Sequence, residues 1–239
     1  MSEKTRRSWL LAPVSKPDLI ARAAHSGADV IVLDLVEFVA EADKADAREH
    51  FVAAFVAACA GGAEVFAQID PTAAHADLTA CVRTGLSGVV VTRAESTGEI
   101  AEIDQLLDRL EMERGIAPGT IRIIAALETA RGNHAAYEIS QASKRIAGLT
   151  LGRADLVMDL RAEPSGEFHL MEYLMQRLIV VAGAAGVAPL GAWWRSPDRG
   201  MYATVDNTHA AAKRGRAIGF KGALCVADHQ VDALNRAYA

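Results

Sequence analysis

Short runs of apolar, often β-branched residues alternate along this chain with longer stretches whose apolar positions recur at helical spacing. Eight such runs stand out: SWLLAP from Ser8, VIVLDL from Val30, EVFAQI from Glu64, GVVVTRA from Gly88, IRIIAALE from Ile121, IAGLTLG from Ile146, APLGAWW from Ala188 and GALCVA from Gly222. VIVLDL and GVVVT are continuously apolar instead of alternating, as strands buried on both faces are, which predicts a parallel sheet. Between the runs lie helical stretches such as LIARAAHSG, KADAREHFVAAFVAACA, TGEIAEIDQLLDRLEMER, EYLMQRLIVVAGAAG and THAAAKRGRAIG, several of them ending near glycine, as helices commonly do. Strand and helix alternate throughout, the signature of successive βα units.

Eight βα units in 239 residues match the roughly 250 residues typical of a (β/α)8 barrel. The expected fold is therefore one α/β (β/α)8 TIM barrel, a single domain over residues 1–239. An open doubly wound sheet is the alternative. It would usually show a glycine fingerprint after its first strand, and LAPVSKPDL has none.

Composition and charge narrow the partners. Hydrophobic residues make up 51% and aromatics only 5%, as expected when small helix formers pack on β-branched strands and not for an all-β sandwich. The net charge of -5 and the scattered basic residues offer polyanions no attraction, so nucleic acid is not an expected partner. Cys59, Cys81 and Cys225 are odd in number and lack CxxC spacing, which suits a reducing compartment. MSEKTRRSW has charges but no apolar segment behind it, and no uninterrupted apolar segment approaches the roughly 20 residues that span a bilayer. A soluble, cytoplasmic protein with no membrane association is expected.

Active sites of (β/α)8 barrels lie where the strands end, so polar residues there are the candidates. They are Ser15 and Lys16 after the first strand, Asp34 and Glu37 after the second, Gln68 and Asp70 at the third, and Arg93 and Glu95 at the fourth. The later strands add Glu128, Asp155, Arg195 with Asp198, and Asp228 with His229. Glu128 and Asp155 are one βα repeat apart and each ends a strongly apolar strand, so they should project toward the same opening. Two hard oxygen donors, with waters in the remaining positions, suit Mg²⁺. The alternative is that each carboxylate merely caps the helix that follows it.

RSWLLAPVSKPDL, ADVIVLDLVEFVAEADKADAR, VTRAES, LETARG, IAGLTLGRADLVMDL and GFKGALCVADHQVDALNRAY resemble, in the same order and spacing, the HpcH/HpaI aldolase and citrate lyase β-subunit family. The similarity covers nearly the whole chain, in the short form without a C-terminal lid. It implies a (β/α)8 barrel that makes or breaks a carbon–carbon bond next to a carbonyl, often in a malyl-, citramalyl- or citryl-thioester. Mg²⁺, or Mn²⁺ in its place, would be held by Glu128 and Asp155, with coenzyme A as part of a thioester substrate. Cleavage of this kind leaves an enolate, whose charge a cation stabilises as it develops. Asp34 and Glu37 in LDLVEF match the family's acidic LEDAV cluster, in changed order, with Val36 where the family usually has Glu.

The substrate-gripping half departs from the family. Its third strand usually ends VRIN, with an Arg on the substrate carboxylate. Here AQID puts Gln68 at that position, and an amide does not replace a bidentate guanidinium at equal affinity. Arg93, where the family generally has Lys, and Arg153 beside Asp155 are candidates to supply the charge. APVSKP stands for VPGS, with Val14 in place of glycine, and leaves Ser15 and Lys16 as coenzyme A phosphate contacts. VADHQ stands for IHPSQ, which makes His229 a rim residue. Trp193, Trp194 and Arg195 at the seventh strand would form an aromatic wall for an apolar substrate part or an adenine, or would pack beneath a loop.

The expected activity is that of a Mg²⁺-dependent lyase or aldolase acting on a small 2-oxo acid or its acyl-CoA adduct, with Asp34, Glu37 and Arg93 as catalytic groups and Gln68, Arg153 and Trp193 on the substrate. Thioester hydrolysis or a pathway-specific aldol step, and a partner-dependent subunit without activity of its own, are the competing expectations. Relatives in the family suggest a homotrimer.

Overall fold

All eight expected strands form, and helices separate them. In chain order the elements are β1 (Ser8–Pro13), α1 (Pro17–Ala24), β2 (Val30–Asp34), α2 (Lys44–Cys59), β3 (Glu64–Ile69), α3 (Ala74–Cys81), β4 (Leu86–Val91), α4 (Thr97–Glu113) and β5 (Arg122–Ala126). They continue with α5 (Ala130–His134), α6 (Ala136–Gln141), β6 (Ile146–Thr150), α7 (Arg153–Leu160), α8 (Pro164–Ala185), β7 (Ala188–Leu190), α9 (Val205–Ile218), β8 (Ala223–Cys225) and α10 (Val231–Ala237). The structure, a computed structural model, describes residues 5–161, 164–194 and 202–239.

The strands form one eight-stranded sheet in the order β7-β6-β5-β4-β3-β2-β1-β8. A parallel bridge from Leu190 to Gly222 joins the first strand in that order, β7, to the segment entering the last, β8. This is the cyclic strand order of a (β/α)8 barrel, the fold class expected from the alternation. No helix among the described residues is long and apolar enough to cross a membrane. The chain divides into two compact units, Met1–Phe66 with Leu190–Ala239, and Ala67–Pro189.

In the first unit, β1 runs parallel to β2, from Trp9 opposite Val30 to Pro13 opposite Asp34. On its other side it pairs with β8, from Ser8 opposite Ala223 to Leu10 opposite Cys225. Every residue of β1 and β2 is buried, as their continuous hydrophobicity demands. The two faces of β1 can be told apart. Ser8 Oγ donates to Asn235 Oδ1 of α10 at 2.7 Å, so Ser8 faces the helices. Trp9 therefore points to the opposite face, where its ring meets Phe66 edge-on, with centroids 4.8 Å apart.

In the second unit, β5 is central, pairing with β4 from Gly88–Arg122 to Val91–Ala125 and with β6 up to Ala126–Thr150. α4 begins with a capping box: Ser96 accepts from the Glu99 N–H while the Glu99 carboxylate takes the Ser96 N–H. At the far end of this helix, Arg145 anchors the entry to β6. It is paired with Asp104, Asp108 and the fully buried Glu111, whose oxygens also take the N–H groups of Gly119 and Ile121 at 2.8 Å each. A buried guanidinium survives here because every charge around it has a partner.

Several strands stop short of their apolar runs, β7 among them. β7 stops at Leu190, and GAWW continues outside the sheet. The Gly191 N–H reaches the Gly222 carbonyl at 2.7 Å, and Trp193 donates its N–H to the Ala211 carbonyl of α9 at 3.0 Å. The backbone has turned from the strand ladder to the helix.

Candidate active site

In the second unit the C-terminal ends of four strands lie side by side. Thr92 N–H donates to the Ile69 carbonyl at 3.1 Å, Ala94 N–H to Ala126 at 3.0 Å, and Leu127 N–H to Thr150 at 2.8 Å. The residues that leave β3, β4, β5 and β6 therefore emerge on one rim, where barrel chemistry is placed.

Glu128 lies two residues beyond β5 and is 5% exposed. Asp155 sits in the first turn of α7 and is exposed. The two present carboxylate oxygens within 4.8 Å of one another. Capping does not explain Glu128, because its neighbour Thr129 caps α5, accepting from the Gly132 N–H at 3.0 Å.

Two backbone features hold Glu128 in place. Arg93 has φ of 46°, in the left-handed region, and its N–H donates to Glu128 Oε2 at 2.8 Å. A non-glycine residue held there costs about 1–2 kcal/mol, and at this position the strain turns an amide onto the carboxylate. On the other side lies Gly152. A Cβ at that position would stand 2.2 Å from Glu128 Cγ and 2.5 Å from Oε1, so the carboxylate fills the space a side chain would take.

This donor set fits a hard divalent cation. It is all oxygen and anionic, and one member is buried and fixed. Mg²⁺ binds oxygen at about 2.0–2.1 Å and usually keeps several waters, which the exposed Asp155 leaves room for.

The remaining candidates take varied places. Gln68 is on β3 and 2% exposed. Arg93 itself is exposed on the rim, and Glu95 pairs with Arg131 at 3.6 Å. Asp70 caps the turn after β3, accepting from Thr72 N–H at 2.9 Å. Arg153 opens α7, and its side chain lies outside the described residues, as do Arg195 and Asp198 altogether.

The other candidates belong to the first unit. Asp34 is fully buried at the end of β2, with Oδ1 accepting from Val36 and Glu37 N–H at 2.8 and 3.0 Å, and Oδ2 from Phe38 N–H at 2.7 Å. Burial pushes its carboxyl above the ordinary range, against the pull of these amides. The carboxylate thereby shapes the loop that presents the exposed Glu37. Ser15 and Lys16 are exposed between β1 and α1. Trp193 is buried at 5% exposure, and its carbonyl accepts from Arg214 Nε at 3.1 Å. His229 Nε2 lies 2.8 Å from the Ala203 carbonyl, and Gln230 is buried, its Oε1 accepting from Val226 and Ala227 N–H at 3.2 and 3.1 Å. Burial lifts the Cys81 and Cys225 thiols to about 12, which keeps them protonated and unsuited to nucleophilic work.

A model of the HpcH/HpaI aldolase/citrate lyase family matches residues 7–227. The chain belongs to this family. It is 33% identical to the citrate lyase subunit beta-like protein of Deinococcus radiodurans, over 94% of this chain and 77% of that protein. It is 27% identical to citrate lyase subunit beta of Leuconostoc mesenteroides subsp. cremoris, over 100% of this chain and 78% of the relative. Among solved structures, Mycobacterium tuberculosis CitE in complex with magnesium and acetoacetate superposes with a TM-score of 0.77 at 26% identity, covering 100% of this chain and 92% of that one.

Two features of this candidate site are not legible in the sequence. Gly152 carries no chemistry of its own, and its signal was only a glycine directly after an apolar strand, in LTLGRAD. The backbone role of Arg93 left no signal, because nothing in VTRAES announces a positive φ.

Proposed function

We propose that this chain is a Mg²⁺-dependent carbon–carbon lyase or aldolase acting on a small 2-oxo acid or its acyl-CoA adduct. The observation that carries the reading is the Glu128–Asp155 carboxylate pair, with Glu128 locked by the Arg93 N–H. Membership of the HpcH/HpaI family and the magnesium complex of the M. tuberculosis relative support it. When bound between these carboxylates, the cation would supply positive charge to the oxygen on which an enolate develops as the carbon–carbon bond breaks.

The chain's own residues do the rest. Glu128 keeps a fixed position because one oxygen is held by an amide, so little reorganisation accompanies binding. Glu37, on the loop that the Asp34 carboxylate organises, is the acidic group proposed to orient water or substrate. Arg93 and Arg153 offer the cations for the substrate carboxylate, and Trp193 an apolar wall. Ser15 and Lys16, exposed after β1, are the proposed contacts for coenzyme A phosphate. The protein is proposed to work as a homotrimer in the cytoplasm.

The test is titration calorimetry with Mg²⁺ on the wild type and on Glu128→Ala with Asp155→Ala. Loss of binding in the double variant, with an unchanged circular dichroism spectrum, is expected. Unchanged affinity sinks the assignment. Turnover of CoA thioesters and free hydroxy acids, each with and without Mg²⁺, then separates lyase from hydrolase.

A further inference from the structure

Among the described residues, Gln68 is the one side chain with a buried polar atom that lacks a hydrogen-bond partner. It is 2% exposed, and its Nε2 is buried without a hydrogen-bond partner among the described residues. Buried amides are normally satisfied by protein or ordered water, so an orphaned donor calls for an explanation.

The register shows which way Gln68 points. Trp9 lies on the sheet face opposite the helices and meets Phe66. Gln68 follows Phe66 by two residues in β3 and so shares that face. On the other side, the Thr92 N–H to Ile69 bond sets Gln68 level with Val90, and Val90 pairs with Ile124. Level residues of parallel strands project to the same face, and Ile124, Ala126 and Glu128 continue it at intervals of two. The amide therefore stands on the face that leads to Glu128, deeper in the sheet.

We infer that Gln68 is a specificity-determining residue that selects a substrate carrying an uncharged polar group in place of a second carboxylate. This rests on the proposed function above. A carboxamide presents an NH₂ with two N–H donors beside a carbonyl acceptor, all in a single plane. A neutral hydroxyl or amide group answers both, and placing it there costs no buried charge. A carboxylate answers only the N–H, sets its lone pairs against Oε1, and brings a charge that this neutral side chain cannot offset.

The test measures binding in the presence of Mg²⁺ by calorimetry with three probes. Pyruvate has the head group alone, oxaloacetate adds a carboxylate, and 2-oxosuccinamate is the same molecule with that carboxylate as an amide. Wild-type protein is expected to bind 2-oxosuccinamate at least tenfold more tightly than oxaloacetate. Gln68→Met, similar in volume, should lose that preference and unfold at an equal or higher denaturant midpoint because the orphan donor is gone. Gln68→Arg should turn the preference toward oxaloacetate.

Tighter binding of oxaloacetate by the wild type, or a ratio that Gln68→Met leaves unchanged, overturns the inference. So does a lower midpoint for Gln68→Met with the ratio intact, which would mark a purely structural amide. Failure of pyruvate to bind in a Mg²⁺-dependent way instead counts against the lyase reading, so the two failures are distinguishable.

Discussion

Replacing Gly152 with Ala isolates the support of Glu128 from the chemistry of the carboxylates themselves. Gly152 has φ of −82° and ψ of 91°, which alanine also adopts, so the substitution carries no backbone strain. Its effect is a collision: the new methyl would stand 2.2 Å from Glu128 Cγ and 2.7 Å from Cδ, where carbon atoms prefer about 3.5–4.0 Å. Glu128 must retreat by more than 1 Å, on the order of the difference between those distances. That takes Oε2 out of hydrogen-bond reach of the Arg93 N–H, now at 2.8 Å.

Overpacking of this kind costs about 1–3 kcal/mol of stability, and loss of a partner that orients a metal ligand costs about 10–100-fold in metal affinity. Mg²⁺ titration calorimetry and urea denaturation of Gly152→Ala measure the two. Wild-type Mg²⁺ affinity in a folded Gly152→Ala protein would falsify the claim that this glycine makes room for a metal ligand.

Other substitutions probe the frame. A Cβ at Gly98, in the first turn of α4, would meet nothing closer than Ser96 Oγ at 3.8 Å, so Gly98→Ala should stabilise by about 0.5–1 kcal/mol in urea unfolding. Arg145→Met strips the cation from the fully buried Glu111 and should cost about 3–5 kcal/mol at neutral pH. Burial raises the Glu111 carboxyl, but the Arg145 hydrogen bonds and the Ile121 and Gly119 amides bring it below its ordinary value on balance. Its contribution is therefore complete above the unfolded pKa of about 4.3 and is lost as pH falls through the lower folded value. Arg145→Met should flatten that acid limb of the stability curve. Asp34→Ala removes three amide contacts and should cost about 1–3 kcal/mol. The raised carboxyl of Asp34 means its contribution is complete below the unfolded pKa of about 3.9 and declines as pH rises through the folded value. Asp34→Asn should abolish that decline in acid-range denaturation curves.

Periodicity and local chemistry by themselves determine the framework of this protein. Eight strand positions were legible because strands buried on both faces must be continuously apolar, as SWLLAP and VIVLD are, and β1 and β3 begin and end at the expected residues. The APLGAWW run is apolar throughout and reads as strand to its end, yet beyond Gly191, whose N–H still reaches Gly222, its backbone bonds to α9. Glu128 and Asp155 were legible as a pair because each follows an apolar strand by a few residues, and strand ends share a rim. Tertiary structure alone decided how Glu128 is held. The Arg93 amide turns toward it only through a positive φ, and the void at Gly152 exists only once β6 hands over to α7. The orphaned amide of Gln68 belongs to the same class. Sequence places a glutamine on a buried strand, but whether its donor finds a partner depends on what every neighbouring strand and helix brings within about 3 Å of it.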